Sequence, residues 1–532
     1  MYSLNPLSTT SGVAVVSVVL YLVLSYTRAL VVFKRRQRGR PFPPGPRPLP
    51  LIGNLLDLPL SKQGIGFRDL CRKYGDVVYM NVCGQPMLVV GSATAVRELL
   101  EKRSANTSDR FYSTVLDLIG NSAALSVMPY GQLWRDHRRA FWQIFHPGAI
   151  RQYRDAQRTV LHTLLRKLLV SPDNLREHLR YNFAATMMKV LYNIDAQEDG
   201  DRLISLVDEA TTCTATLATG VHPVDIFPFL RHLPSWMPGA GFQDAFAKCR
   251  AAVEEIKEAP FAALKTALEG GQTTPCGISA LLSRHITSAG CSAENAYQED
   301  VIKNVGLVSF EGGADTSFSI LQAVFLAMSL YPDVLKTAQA ELDAVVESRL
   351  PDYGDRDKLP YVNAIIKEAL RWHVVLPLSV PHSTVEDDEL NGHFIPAGTI
   401  IMPNTWGILH DQEVFEDPEE FRPERFLRDG QLDDSNHDPY AFAFGYGRRI
   451  CPGRHFADES LYLTVASVLH VFDIGPPLGK DGQPITVRYE QSDGLFTYPR
   501  DSVMTVASAS RGTSANAGCC FAVWFDAGKV CG

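Results

Sequence analysis

A chain of 532 residues that is 45% hydrophobic and 21% charged carries enough apolar side chain for a large packed core. Its net charge of −8 and pI near 6.0 exclude the basic surface of a nucleic-acid binder. Of the ten cysteines only Cys519 and Cys520 are adjacent, and no Cys-x-x-Cys occurs, which predicts a reducing compartment and no disulfide framework.

Residues 1–12 are read as a short luminal N-terminus. Residues 13–33, from Val13 to Phe33, form an apolar run broken by Arg28 and a few small polar residues. About 20 such residues span a bilayer. Lys34, Arg35, Arg36, Arg38 and Arg40 follow at once, which places the downstream chain in the cytosol. A cleaved signal peptide would carry its positive charges ahead of the apolar core, so an uncleaved transmembrane anchor is predicted. Residues 34–48 are a basic, proline-rich linker, and Pro41-Phe42-Pro43-Pro44-Gly45-Pro46 is stiff in the polyproline conformation.

The folded domain is predicted over residues 49–506. Val77–Val82 and Met87–Val90 read as paired strands around Gly84-Gln85-Pro86, and Ala93–Lys102 as a short helix. Residues 104–128 lack periodicity and are expected to roof a pocket. Trp134 and Arg138 lie four apart on a helix and share a face. Arg135, His137 and Arg139 add positive charge beside them. Residues 150–350 read as mostly helical. The segments Val224–Leu230 and Leu233–Pro238 break that pattern as an apolar, proline-broken loop suited to membrane contact, and Gly270–Asn295 reads as a surface loop.

Glu311-Gly312-Gly313-Ala314-Asp315-Thr316-Ser317 sits inside an apolar helix predicted from Val301 to Leu330. Two adjacent glycines cost about 1 kcal/mol each in a helix interior, so they point to close approach of a ligand and local widening. Asp315 and Thr316 form an acid–alcohol pair there, suited to orienting a water and resupplying protons. Glu368 and Arg371 share a helix face, and Pro423-Glu424-Arg425-Phe426 follows later. Val375, Leu378, Ser379 and Val380 are candidate pocket walls, with His382 just beyond. Gly392–Ile401 reads as a hairpin beneath the pocket and Gly494-Leu495-Phe496 as a turn closing it. Phe444-Gly445-Tyr446-Gly447-Arg448-Arg449-Ile450-Cys451-Pro452-Gly453 is a loop that presents one thiol just ahead of a helix N-terminus, where the dipole and backbone N–H groups favour a charged sulfur. Residues 507–532 form an atypical small-residue tail, read as flexible or as translated non-coding sequence, where damage to the closing strand is expected.

The last loop meets all five fixed positions of Phe-x-x-Gly-x-Arg-x-Cys-x-Gly, through Phe444, Gly447, Arg449, Cys451 and Gly453. It resembles the haem-binding loop of the cytochrome P450 family. The Gly312–Thr316, Glu368–Arg371 and Trp134–Arg138 motifs resemble the same family, and the chain resembles its fungal, microsomal, membrane-anchored members especially around Val224–Phe242 and Pro381–Asp388. The resemblance implies a mainly α, single-domain fold with a small β region behind an N-terminal transmembrane helix. It implies haem b, with Cys451 as the axial thiolate on iron and Phe444 shielding the sulfur. Arg449, Trp134, Arg138 and His382 would hold the propionates, His382 standing where relatives often carry arginine. Glu368, Arg371 and Arg425 would form a buried structural network, and the proline-rich segment would orient the domain on the membrane.

The function implied is a monooxygenase of the endoplasmic reticulum membrane, single-pass and cytosolic. Thr316 and Asp315 would manage protons. Electrons would come from NADPH through the flavins of a separate cytochrome P450 reductase, with cytochrome b5 as an optional second donor. A small lipophilic substrate such as a terpenoid, steroid or polycyclic aromatic would be oxidised, in secondary metabolism or xenobiotic oxidation. Two alternatives stay open: a haem-thiolate isomerase or dehydratase that does not use dioxygen, and a non-enzymatic haem-binding membrane protein.

Overall fold

The structure, a computed structural model, describes residues 6–198, 200–217, 222–237, 239–271, 275–286, 292–433, 437–477, 483–500 and 505–508. Its helices used below are α1 (Pro6–Gln37), α2 (Gln132–Phe145), α3 (Leu175–Tyr192), α4 (Arg202–Leu217), α5 (Phe242–Glu269), α6 (Gly277–His285), α7 (Ser292–Leu330), α8 (Pro360–Trp372) and α9 (Arg454–Val471). The central element is α7. From Val301 to Ser329 it is buried on nearly every side, which is what a helix apolar all round requires. Helices α3, α2, α5, α9 and α8 pack around it. Among the described residues α7 is the one helix long and apolar enough to cross a membrane, and 83% of its apolar stretch lies inside the protein. It is a core helix.

The small β region lies to one side. Strands β1 (Val77–Val82) and β2 (Gln85–Val90) pair antiparallel, as expected, although β2 starts two residues early and carries Pro86. With β3 (His382–Ser383) and β4 (Ile400–Pro403) they form a sheet of order β1-β2-β4-β3, in which β2 and β4 run parallel with Met87 opposite Ile400. The hairpin expected at Gly392–Ile401 is divided. His393–Ile395 pairs with Asp388–Leu390, while Ile400 and Ile401 enter the main sheet.

The predicted 13–33 run lies within α1, and residues 1–5 lie outside the described residues. The proline-rich segment is packed against the sheet. Phe42 stacks on Tyr79 at 4.4 Å, Pro44 O accepts from Tyr79 N–H at 2.8 Å, and a β-carbon on Gly45 would overlap the Tyr79 carbonyl oxygen. β5 (Phe472–Gly475) and β6 (Thr505–Ser508) pair antiparallel, so a closing strand forms at the start of the tail; residues 509–532, with Cys519, Cys520 and Cys531, lie outside the described residues.

Three expectations are corrected. Cys213 on α4 and Cys249 on α5 are disulfide-bonded, because the two helices pack and bring Cα atoms 36 positions apart to 5.7 Å. Gly270–Asn295 contains α6, whose Ile278 and Leu281 are fully buried, and α7 begins at Ser292 within it. His137 adds no surface charge: it is buried, with Nδ1 2.8 Å from Leu133 O and Nε2 3.3 Å from the Asn304 amide. The proline-broken segment does present apolar surface, with Phe229 and Trp236 exposed; Pro238 lies outside the described residues.

Candidate active site

A cavity of about 1610 Å³ lies between α7 and the 444–453 loop. An ordinary single-ligand pocket measures about 300–1,000 Å³, so there is room for a macrocycle and a second molecule. Phe444, Gly445, Cys451 and Gly453 line it. The loop is held by the Cys451 N–H, which donates to Phe444 O at 2.7 Å. Gly445 (φ +78°) and Gly447 (φ +53°) take left-handed conformations. Gly447 is set behind the cavity wall, pressed on the Leu100 carbonyl oxygen where a β-carbon would collide. Burial pushes the Cys451 thiol up. Backbone N–H groups of Gly453 and Arg454 and the charges of Arg138 and Arg454 pull the other way.

Above the loop the cavity wall is cationic. Trp134 and Arg138 of α2 both line it, and the indole Nε1 of buried Trp134 has no partner. Arg449 spends three of its five N–H groups on carbonyl oxygens of Ser108 (2.7 Å), Leu125 (3.3 Å) and Met128 (2.8 Å). Arg110, which no sequence motif marks, lines the same wall and is 8% exposed. It donates to Ser126 O (2.8 Å), Val380 O (2.7 Å) and Pro381 O (2.8 Å). Burial and the mutual repulsion of Arg110 and Arg449 push Arg110 down, and burial brings Arg449 to about 10. Two buried guanidiniums in repulsion, beside an unpaired indole N–H, are a cradle for anionic oxygens.

His382 lines the cavity but spends its one N–H on the backbone. Its Nδ1 is 2.8 Å from Thr107 O, which makes that nitrogen the N–H, and burial beside Arg110 and Arg449 holds the ring well below its usual range. The neutral ring has only an acceptor at Nε2. Arg110, and not His382, supplies a cation to this stretch of the wall. Arg110→Leu is expected to weaken haem retention about tenfold or more, the scale of a lost charge-assisted hydrogen bond, and His382→Gln less than threefold, both read by haem transfer to apomyoglobin.

On the opposite wall α7 contributes Glu311, Gly312, Gly313 and Thr316. A β-carbon on Gly312 would meet nothing, whereas one on Gly313 would strike Met187, so only the first glycine opens the wall. The helix stays α-helical through this turn rather than widening. The Thr316 hydroxyl donates to Gly312 O at 2.7 Å, leaving its oxygen as an acceptor toward the cavity. Asp315 faces away from it. Its carboxylate accepts from the Tyr498 hydroxyl, and burial pushes it up against the pull of Tyr498, Arg180 and Arg176. The expected pair is thus adjacent in sequence but on two sides of one helix.

Val375, Leu378, Ser379, Val380 and Leu495 all line the cavity, with Gly494 and Phe496. Behind it, Glu368 and Arg371 on α8 are fully buried and doubly bonded, at 2.6 and 2.8 Å. Arg425 Nε and the Arg422 N–H also donate to Glu368, at 3.2 and 2.8 Å. The set as a whole fits haem: a thiol open to the cavity on the floor, cations and an orphaned N–H for two carboxylates, and an opened helix opposite.

The cytochrome P450 family model matches residues 43–498. Cytochrome P450 monooxygenase COX1 of Coprinopsis cinerea is 39% identical over 487 residues, 90% of this chain and 94% of that protein. COX2 of the same fungus is 40% identical over 469 residues, covering 87% and 88%. Tryptamine 4-monooxygenase of Psilocybe cyanescens is 37% identical over 493 residues, covering 92% and 96%.

Proposed function

The chain belongs to the cytochrome P450 family, a monooxygenase family, and from that premise we propose that it inserts one oxygen atom into a lipophilic organic substrate. Electrons come from NADPH through a separate flavoprotein reductase, with cytochrome b5 as an optional donor. The observation that carries this reading is Cys451 and Thr316 on the walls of one large cavity. Haem, when bound, supplies the reduction of dioxygen and the transfer of one oxygen atom.

The residues of the chain do the rest. Cys451 would ligate the iron, and the Gly453 and Arg454 amides favour its charged form. Arg110, Arg138, Arg449 and the Trp134 indole, which line the cavity, would hold the propionates, and Phe444 would shield the sulfur. Thr316 offers its oxygen to an ordered water in the cavity. Asp315 lies behind it, its buried carboxyl pushed up by burial, and would relay a proton by turning around the helix. Thr316→Ala is therefore expected to leave NADPH oxidation within about threefold while product per NADPH falls about tenfold or more and hydrogen peroxide rises. Unchanged coupling would contradict the proton role.

The anchor in α1 would place the enzyme on the cytosolic side of the endoplasmic reticulum. Leu51 and Leu60 (97% and 94% exposed) and Trp236 (79%) support membrane contact by the domain itself. Exposed Arg135, Arg139 and Arg448 suit docking of an acidic reductase. The test is expression with a reductase, followed by NADPH-dependent oxidation of a panel of terpenoids, steroids and polycyclic aromatics. Product formation without NADPH would favour an isomerase instead.

A further inference from the structure

Three polar side chains from three separate elements meet in the cavity. Glu311 comes from α7, Asn121 from the 104–128 segment and Thr214 from α4. Asn121 Nδ2 donates to Glu311 Oε1 at 2.8 Å and lies 3.5 Å from Thr214 Oγ1. Asn121 is 3% exposed, yet its Oδ1 has no hydrogen-bond partner. A buried acceptor left unpaired is costly, and one on a cavity wall calls for a ligand that donates to it. Glu311 has no counter-cation among the described residues. Its charged neighbour is Asp315, which repels it. Leu116, Val308 and Ile320 supply apolar lining to the same cavity.

We propose that Glu311, Asn121 and Thr214 form an anchoring subsite for a protonated amine on the substrate. The inference rests on the cavity being the monooxygenase pocket. All three side chains accept hydrogen bonds, and an ammonium group brings up to three N–H donors. A carbonyl or ether oxygen would leave Asn121 Oδ1 unpaired. Burial pushes the Glu311 carboxyl up to about 8, against the pull of the Asn121 amide and with a further push from Asp315. Ionising it at neutral pH therefore carries about a tenfold penalty, which a close, desolvated ion pair outweighs. Glu311 and Thr316 are five residues apart, about 7.5 Å along the helix axis. The oxidised carbon then lies remote from the nitrogen rather than next to it.

The test compares 4-phenylbutylamine with neutral 4-phenylbutanol, by equilibrium dialysis against the purified holoenzyme at neutral pH. The amine is expected to bind about tenfold or more tightly. Glu311→Gln, which keeps size and polarity, should erase that preference while leaving alcohol binding within about threefold. Asn121→Ala provides a second arm if Glu311→Gln does not take up haem, and should also reduce the preference. Equal binding of the two probes by wild type overturns the proposal. So does a preference that survives both substitutions with the absorption band of a nitrogen-ligated iron, since the amine would then sit on the haem. The carbon monoxide difference spectrum of the same wild-type preparation separates this failure from failure of the monooxygenase reading.

Discussion

Cys451→Ala is expected to abolish haem-thiolate formation and to lower turnover by about a thousandfold or more, against the 10⁶ or greater acceleration of typical enzymes. The effect should fall on cofactor and not on fold. Alanine keeps the backbone N–H that donates to Phe444 O, and the sulfur forms no disulfide. Unfolding of the haem-free variant should therefore match that of haem-free wild type. Haem content is read by the pyridine haemochrome, and fold by circular dichroism. A variant that keeps thiolate-type haem would remove Cys451 from the iron.

Glu368→Ala should have the largest effect on stability. Glu368 and Arg371 have no exposed side-chain surface, and Arg425 retains 8%. Removing the carboxylate leaves Arg371 buried and charged without its partner, and orphans the Arg422 N–H. Breaking such a pair costs about 3–5 kcal/mol, a large share of the 5–15 kcal/mol that holds an ordinary protein folded. The urea midpoint should fall accordingly, with poor recovery of haem-loaded protein. An exposed pair provides the control: Asp333, 94% exposed opposite Lys336, can be replaced by alanine at a cost of about 0.5 kcal/mol or less. If Glu368→Ala cost no more than that control, the network would not be structural.

What could be read ahead of the structure was whatever is local in the chain. The five positions around Cys451 form one loop, the Gly312–Thr316 turn forms one stretch of helix, and the strand pair at 77–90 closes through a short turn. Arg110 was not legible, because its role comes from carbonyl oxygens of Val380 and Pro381, some 270 residues away. Glu311 and Asn121 escaped for the same reason, being 190 residues apart. The Cys213–Cys249 bond has no spacing signature, since only the packing of α4 on α5 brings the sulfurs together. In α6 two fully buried apolar positions in nine residues are too few to show a helical period. Asp315 and Thr316 are neighbours in sequence, but 100° of rotation per residue around α7 turns their side chains to different partners, Tyr498 and the Gly312 carbonyl, which only the structure shows.

The most direct measurement is the carbon monoxide difference spectrum of the reduced full-length protein in membranes. The long-wavelength Soret band of thiolate-ligated haem is the predicted result. A band at the shorter wavelength of imidazole-ligated haem, or no haem uptake by a folded protein, would contradict the assignment of Cys451 to iron.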